Sequence, residues 1–388
     1  MPSPVHNQVG QIRKSRGIGA TELARRVNVS RQTIYAIEAG TYVPNTEVAL
    51  RLARELEVTV DELFSLPGAA GKSPDSVTAE VLSASGAVEG QAVRICQIGS
   101  QWVGIPVSAS PYYLPEADGV VRTGVVRNGM VRKGMAQKAG RGKARSEVMV
   151  FGGEEASRKR LVLAGCDPAT SLLAQMVEKD SGVEVVSAAA SSKLALEWLK
   201  QGKVHVAGAH LEDAKTGEFN LPYVRREFPG EDFSVITFAR WEEGLVVAAG
   251  NPKGIRGVED LARKDVGFVN REPGSGSRAL LDKLLEKSGV GAGKINGYAR
   301  VAQGHLAAAY RVLSGEADCC LATRSAARTF GLDFIPLSSE RYDLVMRRAT
   351  LELPAAKAFL DILQRAALRR KLEVLAGYDT SQTGAQLA

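Results

Sequence analysis

Arg31, Gln32, Thr33 and Tyr35 fall on the polar face of one short helical stretch. Arginine and glutamine are the side chains that read guanine and adenine edges through paired hydrogen bonds. Their position at a helix start therefore points to duplex DNA. A second set of chemistry-bearing residues occupies three loops, each between a strand-like and a helix-like run. They are Gly165-Cys166-Asp167-Pro168-Ala169-Thr170, Ala190-Ser191-Ser192 and Pro273-Gly274-Ser275-Gly276-Ser277-Arg278. Small hydroxyl residues and glycines at helix N-termini expose backbone N–H groups, and each helix end adds about half a positive charge. Several such ends converging hold an anion with little formal charge. N-capping is the alternative role for each serine, and at Ser277 and Arg278 both roles stay open.

The first set needs a rigid helical pair, and Ala20 to Gly40 supplies one. Leu23, Ala24 and Val27 face inward on its first helix, Asn28 and Val29 make a turn, and Ser30 is a good N-cap. Ile34 and Ile37 then recur at helical spacing. Val9 to Arg16 is an earlier helix, Asn45 to Leu56 a fourth, and Asp61 to Leu66 a short fifth capped by Thr59. This stretch, about Val9 to Leu66, resembles the Cro/CI-type phage-repressor family of helix-turn-helix proteins. The resemblance places Arg31, Gln32 and Ala36 at base-edge contacts, and Ser30, Tyr35, Thr41 and Asn45 near phosphates. It also implies an ion pair between Arg13 and Glu38. Asn28 stands where the family usually has Gly, and Asn tolerates the left-handed conformation.

The linker of residues 67–75 contains Gly71-Lys72-Ser73, but Leu66 stands where a phosphate-binding loop needs another glycine, and Pro74 interrupts the helix start. Val77 to Val121 reads as β-rich, with a hairpin of Ala92 to Ile98 and Gln101 to Val107 around Gly99-Ser100. Arg122 to Arg145 carries eight basic residues and no acid. It suits either non-specific phosphate affinity or a solvated loop.

From Lys159 strand, loop and helix alternate, which argues an α/β domain with largely parallel strands. Ligands in such sheets sit at the carboxyl ends of the strands. Gly274, Gly276 and Ala279 match a dinucleotide fingerprint, yet Gly293 to Val301 offers no acid for the ribose. His210 and His305 fall beside loops, His205 within a strand as a packing residue, and His6 is terminal.

At Ala164–Ala169, Val206–Asn220, Gly250–Gly254, Phe268–Arg278 and Leu332–Val345 the chain resembles the type II periplasmic-binding-protein fold. It looks most like the molybdate-binding-like domain that bacterial regulators carry behind a helix-turn-helix. The resemblance implies two lobes, residues 159–242 with 336–388 and residues 243–335, joined by crossing segments near Ala239 to Val247 and Phe334 to Val345. It implies a cleft lined by Asp167, Ser191, Ser192, His210, Ser275, Gly276, Ser277, Arg278, His305 and Tyr342. It also implies an oxyanion effector such as molybdate or tungstate, with no resident cofactor. A small organic acid or polar heterocycle would suit Asp, Arg and His equally.

The expected architecture is multidomain. It comprises an all-α helix-turn-helix domain (1–66), a linker and small β-rich segment with the basic loop (67–158), and the two-lobed α/β domain (159–388). Hydrophobic content of 45% is ordinary for globular domains, and the net charge of +7 fits a polyanionic partner. No apolar run reaches membrane-span length and no signal pattern opens the chain, so a cytoplasmic location is expected. Cys96, Cys166, Cys319 and Cys320 lack metal-ligand spacing, and the adjacent Cys319 and Cys320 read as small buried strand residues. An enzyme of the cleft would need a nucleophile–base pair, and no Ser-His-Asp or Cys-His arrangement is legible. The expectation is a ligand-sensing, homodimeric DNA-binding regulator without catalysis; a ligand-free dimerisation domain is the other non-enzymatic possibility.

Overall fold

The computed structural model describes residues 5–65, 76–84, 86–107, 116–127, 130–132, 145–151, 160–229 and 233–388. The linker with its Gly-Lys-Ser run, and Lys133, Lys138, Arg141 and Lys143 of the basic loop, lie outside the described residues. The chain forms two compact units, residues 1–75 and 76–388.

The first unit is five helices: α1 (Val9–Ser15), α2 (Ala20–Val27), α3 (Arg31–Glu38), α4 (Thr46–Glu55) and α5 (Val60–Leu63). Val9, Leu23, Ala24, Val27, Ile34, Ile37, Leu52 and Leu56 form its core. Asn28 is left-handed at φ 60°, ψ 50°, so it makes the turn that glycine would have made. The last helix is shorter than expected. Strand β2 (Phe64–Ser65) pairs antiparallel with β1 (His6–Asn7), and this ladder takes the backbone groups that a longer helix would use.

In the second unit six strands come first: β3 (Ser76–Val81), β4 (Ala92–Ile98), β5 (Gln101–Pro106), β6 (Gly119–Arg127), β7 (Met130–Arg132) and β8 (Arg145–Val150). The expected hairpin is present, with Ile98 opposite Gln101. Pairing in the order β4-β5-β3-β8-β6, with β6 also on β4, closes five strands into a ring. Ala79, Val93, Ile95, Val121, Val148 and Val150 pack together in it.

This β-rich segment is not a separate domain, contrary to the three-part division. Leu82, Cys96, Val103 and Ile105 share one core with Val162, Ala164, Val186 and Ala188 of the following α/β part. Across the same boundary Arg160, almost fully buried, donates to Asp118, Glu184 and the Ile95 carbonyl, the last at 2.7 Å. Arg94 also binds Glu184, and Lys203 pairs with Glu80. A buried guanidinium without those partners would be costly, so the two parts are held together by charge as well as packing.

The α/β part contains β9 (Leu161–Gly165), α6 (Thr170–Ser181), β10 (Val185–Ala189), α7 (Ser192–Lys200), β11 (Val206–Ala209), α8 (Leu221–Glu227), β12 (Phe233–Val247), β13 (Phe268–Arg271), α9 (Gly276–Lys287), β14 (Val301–Ala302), α10 (His305–Leu313), β15 (Cys319–Thr323), α11 (Arg324–Thr329), β16 (Asp333–Arg347), α12 (Arg348–Leu351), α13 (Pro354–Gln364), α14 (Ala366–Val374) and β17 (Tyr378–Asp379). The strand order is β10-β9-β11-β16-β12-β15-β13-β14. Parallel pairs β10–β9 and β9–β11 lie in one lobe, and β15–β13 and β13–β14 in the other. Strands β12 and β16 run antiparallel through both lobes, from Phe233 opposite Arg347 to Val247 opposite Asp333. They are the two expected crossing segments; β12 starts earlier than anticipated, at Phe233, and β16 extends from Asp333 to Arg347. Helix α6 begins at Thr170, and ahead of it the Asp167 carboxylate accepts from the Ala169 N–H and forms a turn. No helix among the described residues is long and apolar enough to cross a membrane.

Two outcomes follow from these contacts. Arg160→Met leaves Asp118 and Glu184 short of a cation and should lower stability by about 3 kcal/mol, the low end for a broken buried pair because Arg94 remains. A urea midpoint equal to wild type would show that the network does not tie the β-rich segment to the lobe. Separately, burial holds the His205 imidazole down at about 4, and its Nδ1 accepts from the Val162 N–H at 3.0 Å. The unfolded ring protonates near 6.5. Its contribution is therefore complete above pH 6.5 and is lost as pH falls towards 4. His205→Asn keeps an acceptor without titrating, so its urea midpoint should fall less than that of wild type between those pH values.

Candidate functional site

The residues expected to face DNA are held by local capping. Ser30 Oγ accepts from the Thr33 N–H at 3.0 Å and lies 2.8 Å from Thr33 Oγ1. Asn45 Oδ1 accepts from the Val48 N–H at 2.9 Å and so caps α4. Thr41 Oγ1 donates to the Ala36 carbonyl at 3.0 Å. Arg31 and Gln32 are exposed at the start of α3, and the Arg31 guanidinium donates to the Tyr35 hydroxyl at 2.9 Å. Tyr35 is exposed, and Thr33 and Ala36 are half-buried. Behind them Arg13 binds Glu38 through two bonds of 2.6 and 3.0 Å, which locks α1 against the end of α3 as the resemblance implied.

The cleft is built on the crossing strands. Glu243 and Trp241 lie on β12, and Glu340 and Tyr342 on β16, with Trp241 opposite Glu340 in the ladder. Cys166 and Asp167 follow β9, His210 follows β11, Ser192 opens α7, Arg271 ends β13, Ser277 sits in the first turn of α9, and His305 opens α10. All of these are buried except Cys166, which is half-buried. His210 Nδ1 is 2.6 Å from Glu340 Oε2, and its Nε2 is 3.4 Å from Cys166 Sγ. Ser277 Oγ donates to Glu243 Oε1 at 2.5 Å, and His305 Nδ1 stands 3.5 Å from the same oxygen. Arg271 donates twice to Glu272 and once to Ser277. Trp241 walls the group, its ring 4.9 Å from His210 and 5.2 Å from His305 between centroids.

The lobes meet directly over this cluster. The Lys193 N–H donates to the Gly274 carbonyl at 3.3 Å, and Lys283 pairs with Glu212 at 2.7 Å. A Cβ at Gly276 would lie 2.2 Å from the His210 carbonyl oxygen, so only glycine lets α9 come this close.

Of the ten expected cleft residues, His210, Ser277 and His305 come together at the seam. Ser192 Oγ accepts from the His210 N–H at 3.2 Å, and the Tyr342 ring lies 6.0 Å from that of His210 between centroids. Ser191 and Ser275 act as N-caps of α7 and α9. Asp167 is engaged by the Tyr378 hydroxyl at 2.7 Å as well as by Ala169. Arg278 does not belong to the cluster: it pairs with Asp282 one turn along α9 and stacks over Tyr298 at 4.2 Å. The buried guanidinium of the site is Arg271 instead. Cys166, in the loop after β9 as expected, forms with His210 the Cys–His pair that the sequence did not reveal. Glu243, Glu340 and Trp241 also went unrecognised. The available signal was an acid inside each crossing strand, at Glu243 before Leu245-Val246-Val247 and at Glu340 before Leu344-Val345-Met346.

Burial sets the electrostatics. It pushes the Asp167 carboxyl up to about 7 and those of Glu243 and Glu340 up to about 8. Burial, then Arg271 and His210, hold the His305 imidazole well below its usual value. Cys320 is pushed up to about 12 by burial, and Cys319 well above its usual value, which leaves both inert as nucleophiles. Several buried polar atoms lack a hydrogen-bond partner among the described residues: Asp167 Oδ2, Glu243 Oε2 and both ring nitrogens of His305. Groups this buried are ordinarily paired. Of these, Glu243 Oε2 and the His305 nitrogens lie in the cluster at the seam.

Two family models match the chain: a helix-turn-helix over residues 9–63, and a PBP superfamily domain over residues 173–364. The uncharacterized protein YvgK of Bacillus subtilis is 37% identical over 231 residues, covering 60% of this chain and 74% of that protein. An uncharacterized HTH-type transcriptional regulator of Methanothermobacter thermautotrophicus is 46% identical over 59 residues, 15% of this chain and 86% of its own length. Among solved structures, a putative phosphate ABC transporter substrate-binding protein of Clostridium perfringens, with bound phosphate, aligns at 14% identity and a TM-score of 0.44. It covers 57% of this chain and 99% of that one.

For the DNA-reading surface, Arg31→Ala and Gln32→Ala should each remove about 1–3 kcal/mol of discrimination between operator and random duplex. The melting temperature should be unchanged, since both side chains are exposed. Operator binding equal to wild type in both variants would move the reading surface elsewhere.

Proposed function

Because the chain belongs to the family that joins an XRE-type helix-turn-helix domain to a PBP superfamily domain, we propose that it is a transcriptional regulator whose cleft closes on a small polar effector. It is a DNA-binding regulator with a ligand-binding domain; the proposal concerns the cleft, the effector and the dimer. One observation carries it: at the seam of the lobes the fully buried Glu243 Oε2 and both ring nitrogens of His305 have no hydrogen-bond partner among the described residues. Closure tightened by a ligand shifts the conformational population by the ligand's differential affinity for the closed form. As a homodimer, the regulator would convert that shift into a change in the spacing of two helix-turn-helix domains on paired half-sites.

Two features bear on the effector. In favour of an oxyanion such as molybdate or tungstate, Ser192, Ser277 and His305 lie at the N-termini of three helices, α7, α9 and α10. Against it, three carboxyls line or border the site, and the one buried guanidinium is already engaged by Glu272. An anion fits only with those carboxyls protonated. Burial favours that protonated state near neutral pH, and with the carboxyls ionised the lining favours a species that brings hydrogen-bond donors or positive charge.

Thermal-shift titration of the full-length protein with molybdate, tungstate, small carboxylates, amines and divalent cations tests the reading. At least one class should raise the melting temperature and change operator affinity. Gly276→Ala should abolish both effects by blocking the approach of α9 to His210, whereas Arg278→Ala should preserve them. A response that survives Gly276→Ala places the effector outside the cleft.

A further inference from the structure

The geometry points to a site for a soft divalent transition cation, Zn2+ in the first instance, held by Cys166, His210 and His305 at the seam of the lobes. This rests on the reading of the cleft as the effector site and names the class of species bound there. The ligand atoms of the three residues lie within 4.8 Å of one another. Cys166 Sγ and His210 Nε2 are 3.4 Å apart. A tetrahedral zinc with bonds of about 2.3 Å to sulfur and about 2.0–2.1 Å to nitrogen sets S and N about 3.5 Å apart. The Cys166–His210 pair is therefore at coordination spacing, and His305 completes the set by a short approach from within 4.8 Å.

The surrounding carboxylates have the placement of outer partners. Glu340 Oε2 is 2.6 Å from His210 Nδ1. Donation of that N–H leaves the Nε2 lone pair facing Cys166, and a carboxylate behind a ligating imidazole fixes its tautomer and raises its basicity. Glu243, anchored by Ser277, stands 3.5 Å from His305 Nδ1 and can orient that ring in the same way. A thiol–imidazole pair alone would also suit a nucleophile, but that role does not use His305, whose two nitrogens are buried and unpaired. A cation uses it. On binding, the Cys166 thiol gives its proton to solvent and the sulfur lone pair to the metal, with no change of oxidation state. Cys166, the half-buried member, provides the way in. Cys166 and His210 belong to one lobe and His305 to the other, so coordination would bridge and close them.

Cobalt(II) serves as the spectroscopic probe on reduced full-length protein. One equivalent should bind, with a thiolate-to-metal absorption that Zn2+ displaces. Cys166→Ser should lose that band, and His305→Gln should weaken binding at least about tenfold. Glu340→Gln, acting through His210, should keep the band while weakening affinity about 10–100-fold. Should a variant fail to fold, Zn2+ protection of the wild-type Cys166 thiol from alkylation gives the same answer without substitution. No cobalt uptake, or an unchanged spectrum in Cys166→Ser, overturns the assignment. Absence of uptake together with an organic or oxyanion response that Gly276→Ala removes overturns the metal alone and leaves the cleft reading intact. Uptake that changes neither operator affinity nor lobe closure keeps the metal site and overturns the sensing role.

Discussion

The antiparallel ladder between β12 and β16 is the constraint on which the ligand-binding unit depends. It joins two lobes that otherwise have separate cores, one around Leu163, Phe238, Leu344 and Phe359 and another around Leu245, Phe268, Leu281 and Leu321. Its register shifts fall at Thr237/Ala239 and Glu243/Gly244, on either side of Trp241. Irregular pairing re-aims side chains and bends strands, and here it brackets the residues at the seam. A Cβ at Gly244 would lie 2.1 Å from the Ile335 carbonyl oxygen, so the second irregularity requires glycine.

Because the ladder places Glu243 and Glu340 in the interior, the rest of the cleft must answer them. Ser277 and His305 do so from one lobe, and His210 from the other. Two acids and two imidazoles in a dry site form a high-stakes network: complete, it fixes one closed geometry; incomplete, it is unstable. The unpaired atoms of His305 and Glu243 make the closed arrangement sensitive to what fills it.

The β-rich segment has a different logic. Its ring of strands packs on the first lobe by an apolar face and by the Arg160, Asp118 and Glu184 network. Arg122, Arg127, Arg132 and Arg145 of the basic stretch lie on β6, β7 and β8 of this segment. Four of its eight basic residues are thus in strands, so movement of the lobe would carry them with it.

The amino-acid sequence by itself determined the local elements and their order. Ser30 and Asn45 are caps, Asn28 turns the chain, Ile34 and Ile37 keep helical spacing, and Gly99-Ser100 closes a hairpin, all through interactions spanning a few residues. Family-specific runs such as Pro273 to Arg278 also identified the two-lobed fold and the loops that face its cleft. Only the tertiary structure decided which side chains enter the site. Arg278 and Arg271 are seven residues apart and equally basic, yet a neighbouring Asp282 and Tyr298 draw the first away while strand β13 buries the second. Cys166, His210 and His305 are separated by 44 and 95 residues. Their meeting depends on two loops of one lobe and a helix start of the other being drawn to one seam. Spacing along the chain carries no record of that, because the approach is set by the long-range ladder of β12 and β16 and not by any local propensity.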